Sequence, residues 1–471
     1  MAADIFRITL AQLDPTAGDI AGNAAKARDA RAKAAADGAD LVVLPELFMA
    51  GGGPDDLTPE VQSACRAAVE ALAGETADGG PAVLIGTPWA EGGKLYNACA
   101  LLDAGRIAAT RFKTNLPRAG AFARGPAAGP VSVRCVRIGV AIGEDIRVEE
   151  ADDDNVVETL AETGAELIVV PAAAPYIRGS SDRRLSAAVA RVTESDLPLL
   201  WLNQTGGHGD QVFDGASFAL NADLSISAQL PGFVADITTL AWRRGDDGWE
   251  CRGPVAELIE GDEADYAACV LGLRDRVAKS GFTGVLLGLS GDVASALTLA
   301  MAVDALGPGK VRAVVLSGPD TAQASRDEAT ALAARLGVAS EMVPIAAAVA
   351  GFEQLLPGPL AGGARHELLA RVRATLLIAL ASTSGALAVA TRSRAEQWGG
   401  REGEADAIAP LEDVTAAQVI RLALLRNRWK PADALGPAGE VIPPGLITRP
   451  PGDGQSPVDR AGRASSGARE G

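Results

Sequence analysis

Val136-Arg-Ile-Gly-Val-Ala-Ile-Gly-Glu-Asp-Ile146 reads as a buried strand running into a sharp turn. The apolar run is short, and a glycine and two carboxylates close it, as expected where a core strand ends at a turn. Working outward, strand-like and helix-like runs alternate. Ile5–Leu13, Leu41–Leu44, Ala82–Gly86, Tyr96–Leu102, Arg137–Ile142, Leu167–Val170, Leu199–Asn203 and Ser217–Leu220 are expected strands, and Asn23–Asp37 an Ala-rich helix. This pattern predicts an α/β layered domain over residues 1–242. The polar, glycine-containing stretch Arg243–Glu263 reads as a linker, bounded at 243–264.

A second α/β unit is expected over residues 265–449. Tyr266–Ser280 reads as a helix, Gly284–Leu289 as a strand, and Ser290–Leu306 as a turn plus a helix. Val311–Leu316 and Ala386–Thr391 are further strands, so a parallel, doubly wound sheet is predicted. Residues 450–471 are Gly-, Ser-, Arg- and Pro-rich, have little to bury, and read as a disordered tail.

Composition narrows the function. The 471 residues exceed one ordinary domain. A formal charge of −17 disfavours nucleic acid as a partner. The five cysteines lack C-x-x-C spacing, which points to reduced thiols and a cytoplasmic setting. With two histidines, a zinc site is not expected. Ala374–Thr391 is uncharged, but Ser382, Thr383, Ser384 and Gly385 interrupt it, so no membrane span is expected.

Three landmarks carry the first domain's chemistry. Leu41-Val-Val-Leu-Pro-Glu-Leu47 puts Glu46 after a buried strand, Lys113 closes the stretch that begins at Tyr96, and Gly143 opens the turn at Glu144 and Asp145. A carboxylate base, an ammonium and a thiol together make an amidase: the base takes the thiol proton, the thiolate attacks, and the lysine steadies the oxyanion. The bland alternative for Glu46 and Lys113 is a buried ion pair without chemistry.

This arrangement resembles the nitrilase superfamily, and more narrowly the amidase domain of glutamine-dependent NAD+ synthetases. The resemblance rests on Ala11–Asn23, Pro45–Leu57, Asn203-Gln-Thr-Gly-Gly207 and Val212-Phe-Asp-Gly215. It implies a nitrilase-like α-β-β-α sandwich. It also implies that the family's cysteine nucleophile falls on Gly143, a tyrosine on Gly52, and an Asn-Ala-Ser-Pro segment on Ala172-Ala-Ala-Pro175. Cys135 lies too far along the strand to substitute and reads as a small core hydrophobe.

The second domain resembles the synthetase domain of the same family. Gly284-Val-Leu-Leu-Gly-Leu-Ser-Gly-Asp-Val-Ala-Ser-Ala-Leu297 is a strand, a small-residue turn and a helix start, a form that cradles phosphate with backbone N–H groups. The resemblance implies an adenine nucleotide alpha hydrolase-like fold and an ATP-binding set at Ser290, Gly291, Asp292, Ser295, Thr391 and Glu396. The family's S-G-G-x-D-S loop has its second glycine at Asp292 and its aspartate at Ala294. A carboxylate where a polyanion docks is repulsive, and Ala294 removes an acid the family places near nucleotide and metal. Thr391-Arg-Ser-Arg-Ala-Glu396 and Gly399–Asp406 also depart from the family pattern. The bland alternative for Ser290, Gly291 and Ser295 is a retained helix cap.

The family reaction is ATP-dependent amidation of nicotinic acid adenine dinucleotide with glutamine-derived ammonia. If active, the chain would use glutamine, ATP and that dinucleotide, with Mg2+. If catalytically degenerate, it would serve as a regulatory or structural homologue, without cofactor. As such it would be homo-oligomeric or assembled with an active paralogue. A third reading is a small-ligand binding protein using one relic pocket.

Overall fold

The computed structural model describes residues 4–53, 56–117, 120–148, 153–246, 248–318, 321–356, 358, 360, 362–391 and 407–448. Two compact units divide between Glu260 and Gly261.

In the first unit, one sheet runs edge to edge through Gly248–Cys251, Asp236–Gly245, Ile5–Gln12, Leu41–Val43, Ala82–Glu91, Lys94–Asp103 and Arg106–Phe112. The other runs through Ile226–Gln229, Phe218–Leu220, Leu199–Asn203, Leu167–Ala172, Val136–Val140 and Val131–Val133. The strand period of two sorts the central side chains. Leu41, Val43, Ala82 and Leu84 share one core with Leu167, Val169, Leu200 and Leu202 between the sheets. Val42, Val83 and Ile85 face outward onto the helices Ile20–Ala36 and Pro59–Glu75. On the other side, Ile168, Val170, Leu199 and Trp201 face the helices Val156–Glu162 and Ser180–Ser195. Covered on both faces, these strands read as continuous apolar runs. The result is the expected α-β-β-α sandwich.

Two expectations need correction. The stretch read as a linker from Arg243 onward instead completes a sheet edge: Arg243 pairs with Ile5 and with Glu250. Its exposed polar residues belong to an edge hairpin, while Trp242, Trp249 and Cys251 turn into the core. Cys135 is exposed rather than a core hydrophobe. Arg134 and Cys135 form the two-residue turn between Val131–Val133 and Val136–Val140, at φ +48° and +67°. The strand expected just before Lys113 is Arg106–Phe112, and Ala104 and Gly105, at φ +52° and +80°, form the hairpin turn before it.

The second unit carries a parallel five-stranded sheet in the order Ala339–Pro344, Val311–Ser317, Val285–Gly288, Leu387–Val389, Ala407–Ile408. The chain winds one way from the central strand and then the other, so the predicted doubly wound sheet is present. Val285 and Leu287 pack toward the helices Gly261–Lys279, Val293–Leu306, Gln323–Arg335 and Ala416–Arg426. Leu286 packs on the opposite face with the helices Ala346–Gln354 and Gly362–Ser384. No helix among the described residues is long and apolar enough to cross a membrane. The tail expected over 450–471 lies outside the described residues.

Candidate functional site

In the first unit the fold brings Glu46, Lys113 and Gly143 together. Glu46 follows Leu41–Val43, Lys113 follows Arg106–Phe112, and Gly143 begins the short 3-10 turn Gly143–Ile146 after Val136–Val140. Asp145 locks two of these segments. Its carboxylate accepts the N–H of Ile142 at 3.0 Å, of Thr114 at 2.8 Å and of Asn115 at 2.7 Å. Burial pushes the Asp145 carboxyl up to about 6, against the backbone donors from Asn115 and Ile142.

Lys113 donates to Glu46 Oε1 at 2.5 Å and also contacts Glu144. Glu46 accepts from Asn97 Nδ2 at 2.6 Å and from the Ala173 N–H at 3.0 Å. Burial alone would lower the Lys113 pKa, but Glu46 and Glu144 reverse this and hold the ammonium charged above its ordinary range. Burial would likewise raise Glu144, and Lys113 overrides it and keeps that carboxylate ionised. Each charge of the trio therefore already has a partner.

Gly143 sits at φ +51°. A Cβ built on it would lie 2.5 Å from Glu46 Oε2 and 2.9 Å from Lys113 Nζ. Any side chain there would point straight at both the acid and the amine. The adjoining recess, lined by Glu46, Gly143, Glu144, Arg147, Ala173, Ala174 and Trp201, encloses about 10 Å3, room for one water molecule. Trp201 is buried, and its indole N–H has no hydrogen-bond partner.

Sequence reasoning missed Asn97, Glu144 and Trp201. Asn97 and Glu144 lay inside quoted stretches, and only the folded contacts single them out. The Ala172-Ala-Ala-Pro175 segment meets the site through its backbone, with the Ala173 N–H on Glu46 and the Ala174 N–H on Asn203. Asn203 clamps Ala174 through both amide atoms, at 2.8 and 3.0 Å. Asn203 also donates to Asp214, which forms a buried two-point ion pair with Arg184 at 2.7 and 2.6 Å.

In the second unit, Ser290, Gly291, Asp292 and Ser295 form the turn after the central strand, where the sheet order reverses. Ligands of open α/β sheets bind at such a point. Asp292 caps the helix Val293–Leu306: Oδ1 accepts the Ser295 N–H at 2.8 Å and Oδ2 the Ser290 hydroxyl at 2.5 Å. Thr391 lies two residues beyond the adjacent strand Leu387–Val389, and Glu396 lies outside the described residues. Ala294 is packed in the core. Among the described residues, no group of three His, Cys, Asp or Glu side chains could hold a metal ion.

Comparison with known proteins agrees across both units. Residues 7–245 match the carbon-nitrogen hydrolase family model, and residues 265–457 match NAD synthase. The chain is 40% identical over 467 residues to the glutamine-dependent NAD(+) synthetase of Rhodobacter capsulatus, covering 95% of this chain and 83% of that one. It is 34% identical to the enzyme of the same name from Xanthomonas campestris pv. campestris, over 96% of this chain and 83% of the relative. A solved structure of the Acinetobacter baumannii glutamine-dependent NAD+ synthetase in complex with ADP superposes with a TM-score of 0.85 at 30% identity. That match covers 95% of this chain and 85% of the other.

Proposed function

The chain belongs to the glutamine-dependent NAD(+) synthetase family, and from that premise we propose that it is a catalytically degenerate member. It would act as a regulatory or structural homologue, alone as a homo-oligomer or beside an active paralogue. One observation carries the reading: Gly143 offers no side chain at the point that faces both Glu46 and Lys113.

Glutamine hydrolysis in this fold needs a nucleophile that becomes acylated while ammonia leaves. With hydrogen at Gly143, no acyl bond forms there. Glu46 has no thiol to deprotonate and instead neutralises Lys113. Lys113 is further compensated by Glu144, which weakens its pull on a developing oxyanion.

The test is an assay of the purified full chain for two activities. One is glutaminase. The other is ATP- and Mg2+-dependent amidation of nicotinic acid adenine dinucleotide, with glutamine or ammonium as nitrogen source. Degeneracy predicts neither. Turnover with ammonium alone would confine the loss to the first unit, and turnover with glutamine would sink the proposal. A second reading, binding of a small acceptor-bearing ligand in the relic pocket, is favoured by the unpartnered Trp201 N–H. Stabilisation by such a ligand without turnover supports it.

A further inference from the structure

Three successive glycines, Gly51–Gly53, follow the segment that carries Glu46, and the loop they open bends back on itself. The Gly53 N–H donates to Asp56 Oδ2 at 3.1 Å. The same oxygen meets His208 Nε2 at 3.3 Å. His208 stands at the tip of the hairpin Thr205–His208 and Gln211–Asp214, which follows Asn203. The foot of that hairpin is fixed. The Thr205 N–H donates to the Leu13 carbonyl oxygen at 3.1 Å, and Asp214 is paired with buried Arg184. One contact therefore joins the loop that leaves Glu46 to the hairpin that leaves Asn203.

Glycine at position 52 lets this contact form. A Cβ there would lie 2.5 Å from Asp56 Oδ2 and 3.0 Å from Asp56 Cβ, so any side chain would push the carboxylate away from His208. Gly206, at φ +107°, is needed in the same way, because a Cβ on it would overlap the Asp14 carboxylate. Strand alternation puts Gly206 and His208 on one face of the hairpin, the face against which Asp14 lies. Among the described residues, four charged groups surround the imidazole. Asp56 comes from the glycine loop, Asp14 from the segment before the helix Ile20–Ala36, and Asp210 from the hairpin turn. Lys26 comes from that helix, and its ammonium is engaged by the Asp14 carbonyl oxygen at 2.5 Å.

We infer that His208 and Asp56 form a protonation-sensitive clasp that holds the glycine loop against the hairpin. Protonated His208 makes a charge-assisted bond to Asp56, and neutral His208 leaves an ordinary one about half as strong. The side chains are 22% and 49% exposed, so the clasp shifts the loop's opening equilibrium by a fewfold rather than locking it. Three adjacent glycines have much backbone freedom to regain, and release therefore loosens this loop before the anchored hairpin foot. The clasp goes beyond the degenerate reading and is independent of it, since it needs neither nucleophile nor substrate.

The test is hydrogen–deuterium exchange of the full chain, read by mass spectrometry at about pH 5.5 and about pH 8, with rates corrected for the intrinsic pH dependence of exchange. In the wild type, the peptide spanning Gly51–Leu57 should exchange about two- to fivefold more slowly at the lower pH, the range an exposed ion pair supports. His208→Gln and Asp56→Asn should each abolish that difference while the helix Ile20–Ala36 keeps its protection. Gly52→Ala should abolish it too, with both clasp residues intact. Thermal melting verifies that each variant is folded. The Asp145 carboxyl, pushed up to about 6, titrates in the same window, but any difference it causes survives His208→Gln. Equal protection of the wild-type loop at both pH values overturns the inference, as does a difference that persists in any of the three folded variants.

Discussion

Replacing Gly143 by alanine measures how far the space beside Glu46 and Lys113 has closed. The new methyl group must adopt φ +51°, a left-handed backbone that costs an L-residue about 1–2 kcal/mol. It also lands 2.5 Å from Glu46 Oε2, so that carboxylate must retreat by most of an ångström. Glu46 is tied by Asn97 at 2.6 Å, Lys113 at 2.5 Å and the Ala173 N–H at 3.0 Å. Giving up one hydrogen bond to a charged group costs about 1.5–3 kcal/mol. Reduced freedom of the unfolded chain returns about 0.4–1 kcal/mol. The net expectation is a loss of roughly 2–4 kcal/mol in the first unit. Urea unfolding followed by the fluorescence of buried Trp201 and Trp242 reads it directly. A loss under about 0.5 kcal/mol would refute the reasoning, because the trio would then be loose enough to accept a side chain. Gly143→Cys in the same assay should be destabilised alike and should gain no glutaminase activity. Glutamine hydrolysis by that variant would mean the remaining site is still preorganised.

Other consequences are as direct. The Asp145 carboxyl, raised to about 6 from 3.8, contributes stability below its unfolded pKa and loses it as pH climbs through about 6. The stability of Asp145→Asn relative to wild type should therefore rise between pH 4 and 6, then level off. A flat difference across that window in urea titrations would exclude the linkage. Cys135→Gly relieves a left-handed backbone in a two-residue hairpin turn and should stabilise the first unit by about 1 kcal/mol, readable as a higher Tm. In the second unit, Arg426 binds Asp304 through two nitrogens at 2.5 and 2.8 Å, and Tyr266 donates to the same carboxylate at 2.7 Å. Arg426→Leu strands a buried charge and should cost about 3–5 kcal/mol. An unchanged Tm would show that Asp304 takes up a proton or water without penalty.

The layered fold was legible because its strands are covered on both faces. Leu41–Leu44, Leu167–Val170 and Leu199–Asn203 are apolar without interruption, and that pattern survives any choice of neighbours. The hairpin Asp236–Cys251 was misread because an edge strand carries polar residues on its open side. Only the alternation of Trp242, Trp249 and Cys251 betrayed its buried face. Cys135 was misplaced because one register step separates a core position from a turn.

At the candidate sites, residue identity alone determines that position 143 carries no side chain, position 292 a carboxylate and position 294 a methyl group. Those are covalent facts that no folding alters. What surrounds these positions was left to tertiary structure. Glu46, Asn97, Lys113, Gly143 and Ala173 come from five separate segments, and packing of two sheets makes them neighbours. Whether Lys113 stands exposed to a substrate or shared between Glu46 and Glu144 depends on distances of a few ångströms. Coulomb and hydrogen-bond energies change over that same range. Sequence spacing does not encode such distances across a sandwich. The reach of the Asp292 carboxylate back to Ser290 and Ser295 likewise follows from its extended backbone, which the residue name leaves open.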